Sequence, residues 1–551
     1  MTARAERRRT ERRSGPAGRA RAAGGAGSPL LAGDLGIALG LTLLAWAHRA
    51  AFLFSNRDWS WPFTVFYEGD SEAFFRYARA LLAGKLYDEG VPFHPPGFAW
   101  LLAAVQTLVG AGDPSDRVPH LAVRLILALV ASAAVGLLYL LARPYLGRGV
   151  ALAGAALTLY HFGSYVLAVA PVSEGPYLTL LLLCLLVWSR KLEHPLDSTP
   201  PSAADRPPRA AAVDRSRSNL WSFLLGVLLG LLALTRAEGA LVAMLLVGVG
   251  LWGWLRGRRA SGRRLAPWAL VAAGWLLAVA PWAARNAVRL AEFNERHAGR
   301  LAEPLPLFVP LTLYGPLSIA LGNHPGSDGT FSPAPLTAGG GTMLDLEDPR
   351  HLEMVLHGDR MAWRWARERP GAAARRVLAK WRLSLGAWRL GWTQWDWPGG
   401  LAGVRRPVDV FVPTSAASRL TLWLGPPLAL LGLAVCLAAG GPARRWGVLV
   451  LLLTLVWALV VGLAFGYVRQ GLLVLPFWWT LVAAAVGAGL RRVAPRRLPR
   501  WLLAAATAGL LVLELVGAAG DRNFEATGDA VSPRGVLNRD ATIYLKPLPP
   551  R

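Results

Sequence analysis

The chemistry in this chain is concentrated in a charged, aromatic and turn-rich stretch, Phe66 to Gly97, that follows the first long apolar segment. It carries Glu68, Asp70 and Glu72 within five residues and ends on His94-Pro95-Pro96-Gly97. A carboxylate held just outside a membrane can take the proton from a hydroxyl as its oxygen attacks. Asp70 opens the helix-like run D-S-E-A-F-F-R-Y-A-R-A-L-L-A-G, where the same carboxylate could equally cap the helix. Glu68 and Glu72, two residues to either side, do not share its helix face. Asp70 therefore ranks first as a general base.

A second set of ionisable residues stands at the ends of apolar spans. Glu174 lies in P-V-S-E-G-P-Y, Arg236 and Glu238 in L-T-R-A-E-G, Arg285 after P-W-A-A, and Arg469 in F-G-Y-V-R-Q-G-L-L-V-L-P. Charges near membrane depth are costly and mark either a site or an internal pair. Arginine grips phosphate through a planar, often bidentate fork. A phosphate on a polyprenyl tail would rest at headgroup level with its tail among the spans. Snorkelling or an Arg–Glu structural pair would also account for these arginines. For Arg236 with Glu238 both readings stand, whereas Arg469, in an otherwise apolar stretch, favours function.

The elements that must position these residues are membrane spans. The chain is 551 residues, 54% hydrophobic and 17% charged, against about 25% charged in an ordinary soluble domain. Runs of Leu, Ala, Val and Gly approach the ~20 apolar residues needed to cross a bilayer. The fold class read from this is an all-α polytopic membrane protein. The formal charge of +25 invites a nucleic-acid reading. Position argues against nucleic acid, because the arginines crowd into the N-terminal tail and short connectors, where the positive-inside rule places them. Cys184 and Cys436 both sit in apolar spans, so neither a metal-ligand spacing nor a disulfide framework arises.

The expected organisation begins with residues 1–29, a basic, disordered cytoplasmic tail without a cleavable signal pattern. Residues 30–284 form a transmembrane module with an outer loop 55–118. Residues 285–420 form a second outer region with an interfacial helix over Pro349–Trp388, rich in Trp and Arg. Residues 421–519 hold the last spans, and 520–551 a short outer tail. Basic connectors at Arg143/Arg148, 190–219, Arg256–Arg264, Arg444/Arg445 and Arg491–Arg500 can all be cytoplasmic only if segment 97–111 does not cross. That segment is short, opens on Pro-Pro-Gly and carries Gln106, so it reads as interfacial or re-entrant. About eleven crossings follow from the positive-inside count. The active face then looks to the periplasm or exterior of the cytoplasmic (inner) membrane. On this topology Glu174, Arg236, Arg285 and Arg469 all face the side of Asp70, although only the connectors set the orientation.

Taken in order, these motifs resemble a family. They are G-D-x(7)-A-R-x-L-L-x-G, H-P-P-G, S-E at a span start, T-R-x-E, P-W-x-x-R-N, L-G-N-H-P and a late Y-x-R-x(5)-L-P-F. The set is similar to the GT-C superfamily of polyprenyl-phosphate-sugar glycosyltransferases. The branch it resembles comprises bacterial relatives of dolichyl-phosphate-mannose protein mannosyltransferases and the aminoarabinose transferases of lipid A. The resemblance covers roughly residues 30–490 and implies a GT-C-like helix bundle. It implies Asp70 as the catalytic acidic residue, with His94 opening the interfacial helix. It also implies Glu174 as the acidic residue of the second outer loop and Arg469 as an arginine near the donor phosphate. Ser71 stands where the family often has a second acid, and Phe74 where many relatives have tyrosine. No cofactor is certain, and a divalent metal stays open.

The function read from these features is transfer of a sugar from a polyprenyl-phosphate donor to a hydroxyl or amine of a glycan, lipid or protein acceptor. Inversion at the anomeric carbon is implied by the resemblance. The alternative from another class is a transporter or flippase of a lipid-linked envelope intermediate, and a third is a non-catalytic scaffold in an envelope-polysaccharide complex. A transporter would also require functional residues on the cytoplasmic side, where the sequence places basic connectors.

Overall fold

A computed structural model describes residues 32–55, 70–110, 120–190, 208–257, 266–332, 334–337, 344–391 and 415–493. Glu68, the basic tail 1–29, the apolar segment 501–518 and the outer tail 520–551 lie outside the described residues. The regular elements described are helices, and the protein is an all-α, multi-pass membrane protein. Its first elements are α1 (Ala32–Ser55), α2 (Asp70–Leu82), α3 (Gly97–Leu108) and α4 (Leu121–Leu146). Then come α5 (Arg148–Tyr160), α6 (Phe162–Val169), α7 (Glu174–Trp188), α8 (Pro208–Thr235), α9 (Gly239–Gly257) and α10 (Ala266–Arg296). The segment after α10 holds α11 (Tyr314–Gly322), α12 (Ala334–Thr337), α13 (Pro349–Glu368) and α14 (Pro370–Leu385). The chain continues through α15 (Ser415–Ala439), α16 (Gly441–Leu463), the one-turn α17 (Val468–Gly471) and α18 (Leu475–Val493).

Among the described residues, α4, α10, α16 and residues Leu420–Ala439 of α15 are long and apolar enough to cross a membrane. The pair α6 and α7, bent by 106°, makes a fifth if it counts as one span. Helix α3 has 12 residues, about 18 Å at 1.5 Å per residue, against a hydrocarbon core of ~30 Å. Leu276, Leu277, Leu430, Leu455 and Leu459 point out of the bundle, each more than half exposed. Lipid tails are as apolar as leucine, so such faces carry no penalty in a bilayer.

Without a hydrophobic drive between helices, close packing must come from small residues at the contacts. On α8, a Cβ at Gly226 would collide with the Val271 carbonyl of α10, and a Cβ at Gly274 with that of Phe223. The two glycines thus let the two backbones touch from both sides. Gly226→Leu should cost about 1–3 kcal/mol through overpacking, read as a lowered unfolding midpoint in detergent. Gly248 on α9 faces nothing within 4 Å, so Gly248→Leu should be silent. Equal midpoints for the two variants would refute this packing.

At the end of the bundle away from Glu174, Asp34 near the start of α1 is fully buried. It pairs with Arg143 at 3.1 Å and Arg148 at 2.9 Å and accepts from Tyr139 Oη at 2.8 Å. The basic connector 143–148 is therefore stapled to the first helix through a shared carboxylate. Further along, the helix expected over Pro349–Trp388 is kinked inside α13 at His357, with φ −132° and ψ 18°, and broken again after Glu368. Arg369 adopts φ −136°, ψ 61°, because the ring of Pro370 excludes the helical conformation for the residue before it. Pro370 then starts α14, a position where its missing N–H costs nothing. Asp348 caps α13 by accepting from Arg350 N at 2.9 Å.

Candidate active site

Three of the residues singled out in sequence meet at one point. Glu174 sits in the first turn of α7, where a carboxylate is favoured by the helix dipole, and it is 1% exposed. Its Oε1 accepts from Arg236 Nη1 at 2.6 Å and lies 3.4 Å from Arg469 Nε. Arg236, in the turn between α8 and α9, also reaches Glu238 Oε1 at 2.5 Å through Nε and Ser173 Oγ at 3.1 Å. Two carboxylates face two guanidiniums, so the group is neutral overall. Burial opposes the charge on Arg236, but Glu174 and Glu238 outweigh it and hold its pKa above the ordinary guanidinium value. Glu174 Oε2 is buried and has no hydrogen-bond partner among the described residues, leaving an acceptor for a ligand hydroxyl.

Local sequence explains why these side chains arrive there. A Cβ at Gly175 would collide with the Leu167 carbonyl, so glycine lets the start of α7 fold back onto α6. Gly239 lies against the backbone of Leu232 and Ala233, which closes the tight turn that presents Arg236. Arg469 rides on the single turn α17, whose N-cap residue Tyr467 donates its backbone N–H to Gln470 Oε1 at 3.2 Å.

A second cluster forms in the first loop. Tyr77 on α2 lies 3.1 Å from His94 Nδ1 through its hydroxyl, and the His94 ring stacks on Tyr314 at 5.3 Å. Tyr87 Oη donates to the carbonyls of His94 and Pro95 at 3.3 and 3.2 Å, clamping the turn before Pro96. Arg285 on α10 donates to the Tyr87 carbonyl at 2.9 Å, lies 3.4 Å from Asp88 Oδ1 and covers the Trp282 ring at 4.8 Å. Burial pushes the Asp88 carboxyl well above its usual range, against the pull of Arg285. Asp88 also holds a left-handed backbone, φ 48°, a conformation aspartate tolerates better than most residues.

The two clusters are joined by backbone contact. Gly97 packs so closely on the end of α8 that a Cβ would lie 2.8 Å from the Leu234 carbonyl, two residues before Arg236. Asp70 is the first residue of α2, one turn before Phe74, whose ring meets His94 at 5.5 Å. The side chains of Asp70 and Glu72 lie outside the described residues. Glu174, Arg236 and Arg469 are thus brought together, while His94 and Arg285 belong to the adjoining cluster. Each of the three arginines faces a carboxylate. Among the described residues, no three His, Cys, Asp or Glu side chains gather as a metal group.

Residues 93–198 match the family model of dolichyl-phosphate-mannose-protein mannosyltransferases. The resemblance to dolichyl-phosphate-mannose protein mannosyltransferases read in the motifs holds over this segment. The matched segment contains His94 and Glu174, one residue from each cluster. No curated protein sequence matches the chain. Among solved structures, the apo oligosaccharyltransferase of Archaeoglobus fulgidus matches with 12% identity and a TM-score of 0.45, covering 91% of this chain and 56% of that one. The archaeal oligosaccharyltransferase AglB from Archaeoglobus fulgidus, in complex with an inhibitory peptide and a dolichol-phosphate, gives 11% identity, a TM-score of 0.46 and coverages of 90% and 56%. ArnT from Cupriavidus metallidurans bound to undecaprenyl phosphate matches with 16% identity and a TM-score of 0.33, covering 83% of this chain and 79% of that one. The chain spans a little over half the length of the archaeal structures.

Sequence reasoning missed Asp88, Tyr87, Tyr77 and Ser173. Ser173 was adjacent to a chosen residue, and Y-D-E-G carried the Asp and Gly of a turn signal. Nothing in the sequence paired Asp88 with Arg285.

Proposed function

We propose that the protein is an integral membrane glycosyltransferase that moves a sugar from a polyprenyl-phosphate donor to an acceptor on a glycan, lipid or protein. The observation that carries this reading is the convergence of Glu174, Arg236 and Arg469, from three separated parts of the chain, beside the loop that opens with Asp70. The family match over residues 93–198 adds support from the sequence side. The site faces the outer side of the cytoplasmic membrane.

In the proposed step, Asp70 takes the proton of the acceptor hydroxyl while its oxygen attacks the anomeric carbon. The bond from that carbon to the phosphate oxygen breaks, and polyprenyl phosphate departs with the electron pair. A single displacement inverts the anomeric centre. Arg469 is the cation suited to the leaving phosphate, because its 3.4 Å contact to Glu174 is longer than the 2.6 Å contact of Arg236. Arg285 supports from the neighbouring cluster. Preorganised donors of this kind contribute roughly 3–4 kcal/mol to a developing anion. Glu174 Oε2 is positioned to accept from a donor sugar hydroxyl.

The test uses purified protein in lipid nanodiscs with a labelled polyprenyl-phosphate-sugar pool extracted from membranes. Loss of label from the lipid, dependent on the protein and an acceptor fraction, is the expected result. Passage of intact labelled lipid to the opposite leaflet of proteoliposomes, with no sugar released, would replace the transferase by a transporter.

A further inference from the structure

Lys380 on α14 is fully enclosed, and among the described residues no carboxylate pairs with it. Its Nζ donates to Asn323 Oδ1 at 2.7 Å and to the carbonyls of Gly462 and Leu463 at 3.0 and 3.4 Å. Those carbonyls end α16, so they lack intrahelical donors and carry the negative pole of that helix. Asn323 Nδ2 donates to the same Leu463 carbonyl at 2.6 Å and to that of Ile319 at 2.7 Å. The L-G-N-H-P turn and the buried ammonium together form the C-terminal cap of α16.

Beyond that cap, residues 464–471 run as a strap that ends in α17 and carries Arg469. The strap is laid directly on Lys380. A Cβ at Gly466 would collide with the Lys380 carbonyl, and one at Gly471 with that of Ser384, a turn further along α14. Gly466 N donates to the Gly329 carbonyl at 2.9 Å, and Phe331 N to Tyr467 Oη at 3.0 Å. One lysine therefore caps the helix from which the strap leaves and lies beneath the strap itself.

We propose that Lys380, with Asn323, is a positioning residue that fixes the strap presenting Arg469 to Glu174. The proposal rests on the reading of Arg469 as a group that acts on substrate.

The clasp is sensitive to pH with a definite sign. Burial, and after it Arg376, pushes the Lys380 ammonium down to about 7, whereas a solvated lysine holds its proton to about 10.4. The opened strap therefore binds more protons than the closed one between these values, and opening becomes harder as pH rises through that window. Below about 7 both forms are protonated and the clasp is at its weakest. The groups around it are Arg376 on its own helix, His324 and Asp328 on the packed turn, and Arg469 and Tyr467 on the strap, while α16 offers carbonyls there. Burial and Arg376 hold His324 below its ordinary value, and hydrogen bonds from Thr330 hold Asp328 below its own despite burial. Neither changes charge above pH 7, and between pH 7 and about 9, below the ordinary tyrosine range, Lys380 is the one of these groups that titrates.

Hydrogen exchange of peptides covering 464–474 in the purified full-length protein tests this without any sugar. In the wild type, protection corrected for intrinsic exchange should rise above pH 7 by up to about tenfold per pH unit. In Lys380→Met exchange should be at least ~10-fold faster, as loss of ~1.4 kcal/mol would give, and the pH dependence should vanish. Asn323→Ala should speed exchange while keeping the pH dependence, and it stands in if the lysine variant does not fold. Sugar transfer by Lys380→Met should fall in kcat by roughly 10²-fold, the effect of a ~1 Å misplacement. A pH-independent wild-type strap, or wild-type exchange in both variants, overturns the clasp. A loosened strap with unchanged kcat overturns its link to Arg469. A loosened strap in a protein that never transfers sugar counts instead against the transferase reading.

Discussion

Asp70→Asn is expected to lower sugar transfer by about 10²–10⁴-fold, the usual contribution of a positioned general base, while the protein stays folded. The amide keeps the shape of the side chain and can still accept a hydrogen bond at the start of α2, so a pure capping role predicts a small change. N-cap substitutions cost ~0.5–2 kcal/mol of stability and leave turnover per folded molecule intact. Transfer and unfolding midpoint measured on the same preparation therefore separate the two roles. Retained turnover in Asp70→Asn would remove the base from this position. Asp88, whose carboxyl burial holds above its usual range, would then be the first-loop acid to test.

The second large effect concerns the buried charges around Glu174. Glu174→Gln leaves Arg236 and Arg469 with the single carboxylate of Glu238, and an uncompensated buried charge costs about 3–5 kcal/mol. The side chains of Glu174 and Arg469 are 1% and 7% exposed, so solvent does little to screen that loss. The double variant Glu174→Gln/Arg469→Gln removes one charge of each sign and leaves Arg236 with Glu238. Its destabilisation should fall short of the sum of the single variants by about 0.5–3 kcal/mol, while transfer stays low. Chemical unfolding in detergent measures all three. Strict additivity would mean that Glu174 and Arg469 do not interact.

Much of the bundle was legible in the sequence because the signal for a span is local. Leucine-rich runs such as Leu121–Leu146 need no partner to be recognised, and a proline as at Pro370 announces a break on its own. The long segment between α10 and α15 was harder to read. The run Pro349–Trp388 is amphipathic throughout, so its periodicity suggests one helix, whereas the backbone leaves helical geometry at His357 and again at Arg369 before Pro370. Lys380 carries no sequence signal of its own, since a lysine on a Trp- and Arg-rich helix reads as part of a solvated face. Its burial depends on α16 ending where it does.

What the sequence determined by itself is the class of protein and the residues with a reason to matter. Apolar runs make spans, and charges at span ends require a purpose. Which charge meets which was decided by the tertiary structure alone. Glu174 takes Arg236 from 62 positions away and Arg469 from the far part of the chain, while Arg285 turns to Asp88. A buried charge must find a counter-charge or an acceptor, but that requirement names no partner. The partner is chosen where glycines let backbones touch, as at Gly97, Gly175 and Gly466, and those contacts exist once the helices have packed.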